Sequence, residues 1–473
     1  MPQRVLTVSP MPPEKCAYAL ARYSRSPDSV ADSIEWVRTH DSQKFLESFY
    51  FQYGHASIAD LGHLVMCFEG VSELAAIEIE DEQLWDGQAR SSRYQDFSHS
   101  GFVTPPELSP EQAALYQKTG NALIAGYNDI HRRMCEFLAD RHPRPETMKE
   151  EPYRRNIAAR AFDVARYLLF LGVPTGVGQV TSIRTLERQI RRLKASPYGE
   201  IKQIADEMAR ACAEEPQCRW SADSTEAVAP TLARYVDPDL YSSESLEALR
   251  RWADQNMSPS ECEAREDVDL LRPADPAADI VATLLYPVTR RSYRSLYELT
   301  SGWSSAQRSE VLEVALGTRT SRDELLRAFR TAPYVFDIVM DIGAYRDFHR
   351  HRRCQQFRQM YGTSAAFDTP AAITEAGLLG PYEDLIRRAF DTYAQLPSPA
   401  GEYILPFATR SRFLFKMDFA EAEYICRLRS GVKGHFSYRR IAWEMKEKMQ
   451  ALEPELGRLM DATPPWIEDP LKR

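Results

Sequence analysis

The chain has 473 residues, of which 44% are hydrophobic and 27% charged, and its formal net charge is -9. That length predicts two or three domains with real cores, and the acidic balance excludes a dedicated nucleic-acid binder, which needs a dominant basic face. No run approaches the roughly 18 apolar residues of a membrane helix, and the first ten residues lack the apolar core of a signal peptide, so a cytoplasmic protein with no membrane partner is expected.

From the N-terminus, Pro12-Pro13 precedes a helix over Glu14 to Arg22, and Asp28 to His40 has the cap and apolar spacing of a second. An aromatic run, Phe49 to Tyr53, breaks at Gly54-His55 and leads into Ser57 and Asp60, residue types that start helices. Leu64 to Ile79 is strongly apolar and closes on the acidic cluster Glu78 to Glu82. The loop after it, Gln88 to Tyr94, presents Arg90 and Arg93 beside Ser91 and Ser92. Hydroxyls and guanidinium groups held together suit phosphate oxygens, and an ordinary surface loop has the same composition. Ser109 is the expected N-cap of one long or two shorter helices reaching to the break at His142-Pro143-Arg144-Pro145, and Arg154 to Gly172 is helix-rich. Ser182 to Lys194 reads as a cationic helix on which Arg184, Arg188, Arg191 and Arg192 share a face; a solvated charge stripe is the plain alternative. Eight cysteines, scattered from Cys16 to Cys426 with no Cys-x-x-Cys pair, indicate neither a disulfide framework nor a metal site.

Residues 226–274 are acidic and proline-rich and read as a connector with one or two short helices between a domain over 1–225 and another over 275–473. In the second of these, Ala332 to Ile342 is read as an apolar helical run. Its end carries Tyr345-Arg346-Asp347-Phe348-His349-Arg350-His351-Arg352-Arg353, with four arginines and two histidines. Such a knot repels itself unless an anion is supplied, and a phosphate or an electron-rich ring is the natural guest. Two alternatives stay open: a solvated helix end, and a salt-bridged domain interface in which Glu78 to Glu82 supply the counter-charge. The second half repeats the first in outline. Phe102-Val103-Thr104-Pro105 has a counterpart in Phe367-Asp368-Thr369-Pro370, and Arg166 to Phe170 in Glu402 to Pro406, with the same interval on to Ser182 and to Asp418.

These residues together resemble the flavin-dependent thymidylate synthase (ThyX) family, in tandem and diverged. The first half keeps Gly54-His55-Ala56-Ser57, Ser91-Ser92-Arg93-Tyr94, Ala165-Arg166 and Arg184, with Asp81-Glu82-Gln83 in the Arg-His-Arg place and Arg192-Leu193 in the Leu-Arg place. The second half keeps Arg350-His351-Arg352, Leu405-Pro406 and Leu428-Arg429. Where Ser-x-Arg-Tyr belongs it reads Met360-Tyr361-Gly362-Thr363, Glu402 replaces the arginine, and Asp418, Ala420 and Tyr424 replace polar flavin-facing residues.

The resemblance implies an α+β fold of two ThyX-like domains, each a small sheet packed with helices. It implies a homodimer that rebuilds a pseudo-tetramer, and FAD as cofactor, with NADPH and methylene-tetrahydrofolate as further candidates. Carried over by position, His55, Ser57, Arg350, His351, Arg352, Ser182, Arg184 and Arg188 would line the flavin. Ser91, Arg93 and Arg166 would hold the phosphate of a small-molecule nucleotide, and Arg429 would sit at the pyrimidine, so that Arg429, Ser91 and Arg93 carry the chemistry. The implied activity is one-carbon transfer to C5 of deoxyuridine monophosphate (dUMP). A relative acting on another small molecule, and a binding or assembly protein that has lost flavin, are the other readings.

Overall fold

The computed structural model describes residues 11–23, 29–48, 56–92, 97, 100–218, 222–223, 225–258, 266–320, 323, 325–458, 460–469 and 471. The fold is α+β, many helices around two small antiparallel sheets. Two compact units cut across the sequence halves: one is 1–69, 84–89 and 176–240, the other 70–83, 90–175 and 241–473.

The first unit holds most of a three-stranded sheet, β1 (His63–Ser72), β2 (Trp85–Ala89) and β3 (Pro174–Ser182), in the order β1-β3-β2. Trp85 lies opposite Thr181 and Ala89 opposite Val177. The expected N-terminal helices are Pro13–Tyr23 and Val30–Thr39, the latter opened by a Ser29–Asp32 capping box. Ser182 caps the helix Ile183–Lys194, which buries Ile183, Leu186, Ile190 and Leu193 at helical spacing and turns Arg188 to solvent.

The second unit is built on β4 (Val268–Leu271), β5 (Tyr334–Asp341), β6 (Gln355–Arg358) and β7 (Arg410–Met417), ordered β4-β5-β7-β6 and antiparallel throughout. The helix expected over Ala332 to Ile342 is instead β5, and all eight of its residues are buried. A strand buried on both faces shows no alternation, so its apolar run has the periodicity of neither helix nor half-buried strand. The helix begins at Ile342, where the Asp341 carboxylate accepts from Ala344 N, and runs to Phe348. The proline-rich stretch 226–274 carries the helix Leu240–Asn256 and β4, and its Leu249, Ala253 and Leu271 join Leu285, Tyr293 and Val335 in the core. Residues 109–145 form one helix, Pro110–Arg141, capped by Ser109 as expected.

Equivalent segments of the two halves meet in this unit by reciprocal bonds. Leu171 N donates to Leu405 O (3.1 Å) and Phe407 N to Leu169 O (2.6 Å); Gly172 N donates to Tyr403 O (2.7 Å) and Ala408 N to Tyr167 O (3.2 Å). The next elements follow the same rule. Glu73 N bonds Val173 O and Leu74 N bonds Leu171 O, while Ile342 N bonds Thr409 O and Gly343 N bonds Phe407 O. Glu73 therefore stands where Ile342 stands in the other half. Counting on from there, Asp81-Glu82-Gln83 occupies the place of Arg350-His351-Arg352.

Candidate functional site: a buried basic cluster faced by an acidic helix

The site in the second unit grows from two short helices that leave equivalent strands. Ser72 caps the helix Glu73–Glu80 by accepting from Ala75 N (3.0 Å), and that helix buries almost every residue, including Glu73 and Glu80. Its counterpart, Ile342–Phe348, buries Arg346. Arg346 Nη2 lies 2.6 Å from Glu73 Oε2, an ion contact out of line for a hydrogen bond, and Nη1 donates to Ser92 Oγ at 2.9 Å. The Arg346 guanidinium also sits over the Phe407 ring, 5.1 Å from its centroid. Burial pushes the Glu73 carboxyl up to about 7 against the opposing pull of Arg346, and the neighbouring Glu80 adds to the rise. Burial likewise raises Glu80, although His349 and Arg350 oppose it.

Around this pair the two halves exchange charge. Asp81 takes a bidentate bond from Arg327 (2.7 and 2.9 Å), whose Nη1 also donates to Gln356 O, and Glu78 pairs with Arg358. His349 Nε2 lies 3.0 Å from Ile77 O, and its Nδ1 lies 3.0 Å from both Tyr345 Oη and Gln356 Oε1. Two guanidinium groups are left with spare donors. Arg166 is only 1% exposed, lies 3.6 Å from Asp347 through Nη1, and has no hydrogen-bond partner for Nε or Nη2 among the described residues. Arg350 is half-buried, and its buried Nε likewise has none. Such buried donors cost free energy until an acceptor reaches them.

His351 is buried between Glu421 and Arg429. Arg429 Nε donates to His351 Nε2 at 2.8 Å, so the ring proton resides on Nδ1, which lies 3.3 Å from Glu421 Oε1. Burial pulls the imidazole pKa below its ordinary value, with the Arg429 charge reinforcing that and Glu421 opposing it. His351 is thus a neutral strut that fixes Arg429. The Arg429 guanidinium is half-buried, lies over the Tyr438 ring 5.8 Å from its centroid, and has donors besides Nε to offer an acceptor.

Of the residues singled out from sequence, the second unit brings Arg166, Arg350 and Ser91 into the same compact body as the His351–Arg429 pair, with Arg352 half-buried and Ser91 next to the Arg346 ligand Ser92. Ser182, Arg184 and Arg188 belong to the first unit. There Ser182 Oγ caps its helix and lies 3.4 Å from Asp60, and Arg184 pairs with Asp60 at 3.1 Å. His55 and Arg93 fall outside the described residues, as does the side chain of Ser57. The spare donors of Arg166 and Arg350 fit an anionic group, whereas Ser182 and Arg184 already have an acceptor in Asp60. Sequence reasoning missed Glu73 and Glu421, and it read Ser92 as one of the hydroxyls suited to phosphate rather than as the acceptor for Arg346. Glu73 hides in an apolar run, and Glu421 is far along the chain from the histidine it meets.

A family model described as Thy1, thymidylate synthase complementing protein, matches residues 5–216 and 281–455. A UPF0159 protein of Thermoplasma acidophilum is 25% identical over 482 residues, covering 93% of this chain and 93% of that one. A UPF0159 protein of Chlamydia muridarum is 23% identical over 424 residues, covering 85% and 77%. Among solved structures, thymidylate synthase X of Helicobacter pylori with FAD and dUMP is 14% identical, with a TM-score of 0.29, covering 42% of this chain and 88% of that one. The UMP/dUMP methylase PolB of Streptomyces cacaoi bound with 5-Br dUMP is 13% identical, with a TM-score of 0.30, covering 47% and 89%. Matched twice, on either side of the stretch that supplies the helix Leu240–Asn256 and β4, the chain belongs to the Thy1, or ThyX, family.

Proposed function

We propose that this protein is a ThyX-like flavoenzyme that transfers a one-carbon unit, as methyl, to C5 of a pyrimidine nucleotide, with dUMP as the first candidate. The observation that carries the reading is Arg429 tethered through Nε to a neutral His351. A planar guanidinium fixed in this way presents its remaining donors to the edge of a pyrimidine, where they favour the ring's ionised form as C5 reacts. FAD, reduced by NADPH, supplies the hydride when bound, and methylene-tetrahydrofolate the carbon. Arg166, with Ser91 and Arg93, holds the nucleotide phosphate. Arg350, His351 and Arg352 are the flavin residues proposed in the second unit and His55, Ser57, Ser182, Arg184 and Arg188 those proposed in the first, where flavin would take over the contacts that Ser182 and Arg184 make with Asp60; a homodimer completes the sites. The chain's own work is to bind, orient and fix charge; no side-chain nucleophile is required.

The test is FAD uptake by the purified protein, followed by release of tritium from C5-labelled dUMP with methylene-tetrahydrofolate and NADPH. Release that falls sharply in Arg429→Ala supports the reading. A protein that binds FAD but releases nothing acts on a different small molecule. One specific observation favours a second reading: Glu73, Glu78 and Asp81 already neutralise Arg346, Arg358 and Arg327. On that reading the chain is a non-catalytic binding or assembly protein, and a colourless preparation that takes up no FAD would establish it.

A further inference from the structure

A second basic hollow lies in the second unit, between the end of the helix Leu240–Asn256 with the residues just after it, which the family model does not match, and residues 287–291 and 359–360, which it does. The cavity is about 320 Å³ and is lined by Arg250, Arg290, Arg291 and Thr289, with Ala253, Met257, Pro287, Val288 and Met360 among its apolar walls. Asp254 is the one carboxylate in the lining. Arg290 Nη1 donates to Ser364 Oγ at 3.1 Å and Arg291 Nη2 to Ser258 O at 3.0 Å, both neutral acceptors. Arg250 stands one helical turn from Asp254, yet among the described residues none of these three arginines has an ion-pair partner within 4.0 Å. Thr289 adds a second sign, because its hydroxyl oxygen is buried with no hydrogen-bond partner among the described residues.

Three guanidinium groups around one hollow repel each other, and an orphaned hydroxyl is costly to bury. Both costs are relieved by a single guest with several acceptor oxygens. We propose that this hollow is a binding site for a phosphate monoester carrying an apolar or aromatic body, distinct from the His351–Arg429 cluster. The phosphate oxygens accept from Arg250, Arg291 and Thr289, and the body lies against Met257, Val288 and Met360. A bare phosphate would satisfy the charge but leave the apolar walls wet, so an aromatic monoester is held more tightly than inorganic phosphate. This proposal does not rest on the flavoenzyme reading.

Phenyl phosphate and inorganic phosphate are the probes, titrated calorimetrically into the full-length protein at fixed ionic strength. Saturable binding of phenyl phosphate is expected, on the order of tenfold tighter than inorganic phosphate. Arg250→Gln and Thr289→Val should each weaken it by about tenfold or more, while Arg166→Gln and Arg429→Ala leave it unchanged. Circular dichroism and unfolding midpoints show that each variant is folded; Thr289→Val, which removes only the orphaned hydroxyl, serves if Arg250→Gln does not fold. No saturable binding overturns the proposal, as does equal affinity for the two probes. Binding lost in Arg166→Gln or Arg429→Ala but retained in Arg250→Gln places the probe at the other cluster and overturns it too.

Discussion

The helices Glu73–Glu80 and Ile342–Phe348 occupy equivalent places in the two halves, leave equivalent strands, and make matching backbone bonds at their starts. Their chemistry is opposite. One ends in Glu80-Asp81-Glu82 and the other in His349-Arg350-His351, and within the second unit the acids of the first meet the bases of the second. Had both halves kept the basic set, the two clusters would repel across a buried boundary. Divergence of the first half therefore stabilises the second, and the donors that escape neutralisation, on Arg166, Arg350 and Arg429, are the ones free to hold a ligand.

The largest effect expected from breaking this complementarity comes from Arg346. Arg346→Ala leaves Glu73 buried without its closest cation and should cost about 3 to 5 kcal/mol of stability, read from urea unfolding midpoints. Replacing the pair together, Arg346→Met with Glu73→Leu, should recover most of that loss, because the desolvation penalty goes with the charges. If the double variant is as unstable as the single one, the contact is not an ion pair in any energetic sense.

Next comes pH. The folded carboxyl of Glu73 is raised from 4.5 to about 7, so the folded state holds its proton more tightly than the unfolded chain. Its contribution is therefore fully present below pH 4.5 and lost as the pH rises through about 7, up to about 3 kcal/mol. Glu80 shifts in the same direction. Stability measured from pH 4.5 to 8 should decline more steeply in the wild type than in Glu73→Gln, and parallel curves would show that Glu73 ionises freely.

Much of this was legible in the chain, and the failures have physical causes. The cap at Ser109 was readable because an N-cap side chain acts within three residues, and the cationic helix read from Ser182 begins where Ser182 caps it. Asp81-Glu82-Gln83 could be set against Arg350-His351-Arg352 because Asp81 precedes Ser91 by the same interval as Arg350 precedes Met360, the two segments in the Ser-x-Arg-Tyr place, and the backbone bonds give the same register. β5 was misread because complete burial erases the alternation that marks a strand. The stretch 226–274 was undervalued because its prolines flag turns whether or not the intervening helix packs into a core. Glu73, Ser92 and Glu421 were invisible as partners: each pairs with a residue more than sixty positions away, and single-sequence patterns carry no such contact.

A smaller effect separates position from charge at Arg429. Arg429→Lys keeps the charge but loses the Nε bond to His351 and the planar fork, and on the proposed nucleotide reaction kcat/KM should fall by an amount equivalent to about 1.5 to 3 kcal/mol of transition-state stabilisation. His351→Phe keeps the volume and removes the strut, so it should raise KM while disturbing the fold little. A lysine variant with full activity would assign Arg429 a long-range electrostatic role only.

The smallest expected effect is the most direct test of the comparison. Asp81 stands where Arg350 stands in the other half, and its bidentate bond to Arg327 is about one-third exposed at both ends. Asp81→Asn keeps the shape, and Arg327 retains its bond to Gln356 O, so the loss should be about 1 kcal/mol, shrinking in molar salt as screening weakens a partly exposed pair. Asp81→Arg instead restores the residue type of the other half. It sets a like charge against Arg327 and beside the Arg350 cluster, so its cost should exceed that of Asp81→Asn and also diminish with salt. Equal unfolding midpoints for the two variants, at low and high salt alike, would mean that the acidic helix is tolerated there without being needed, and that the charge exchange between the halves does not hold them together.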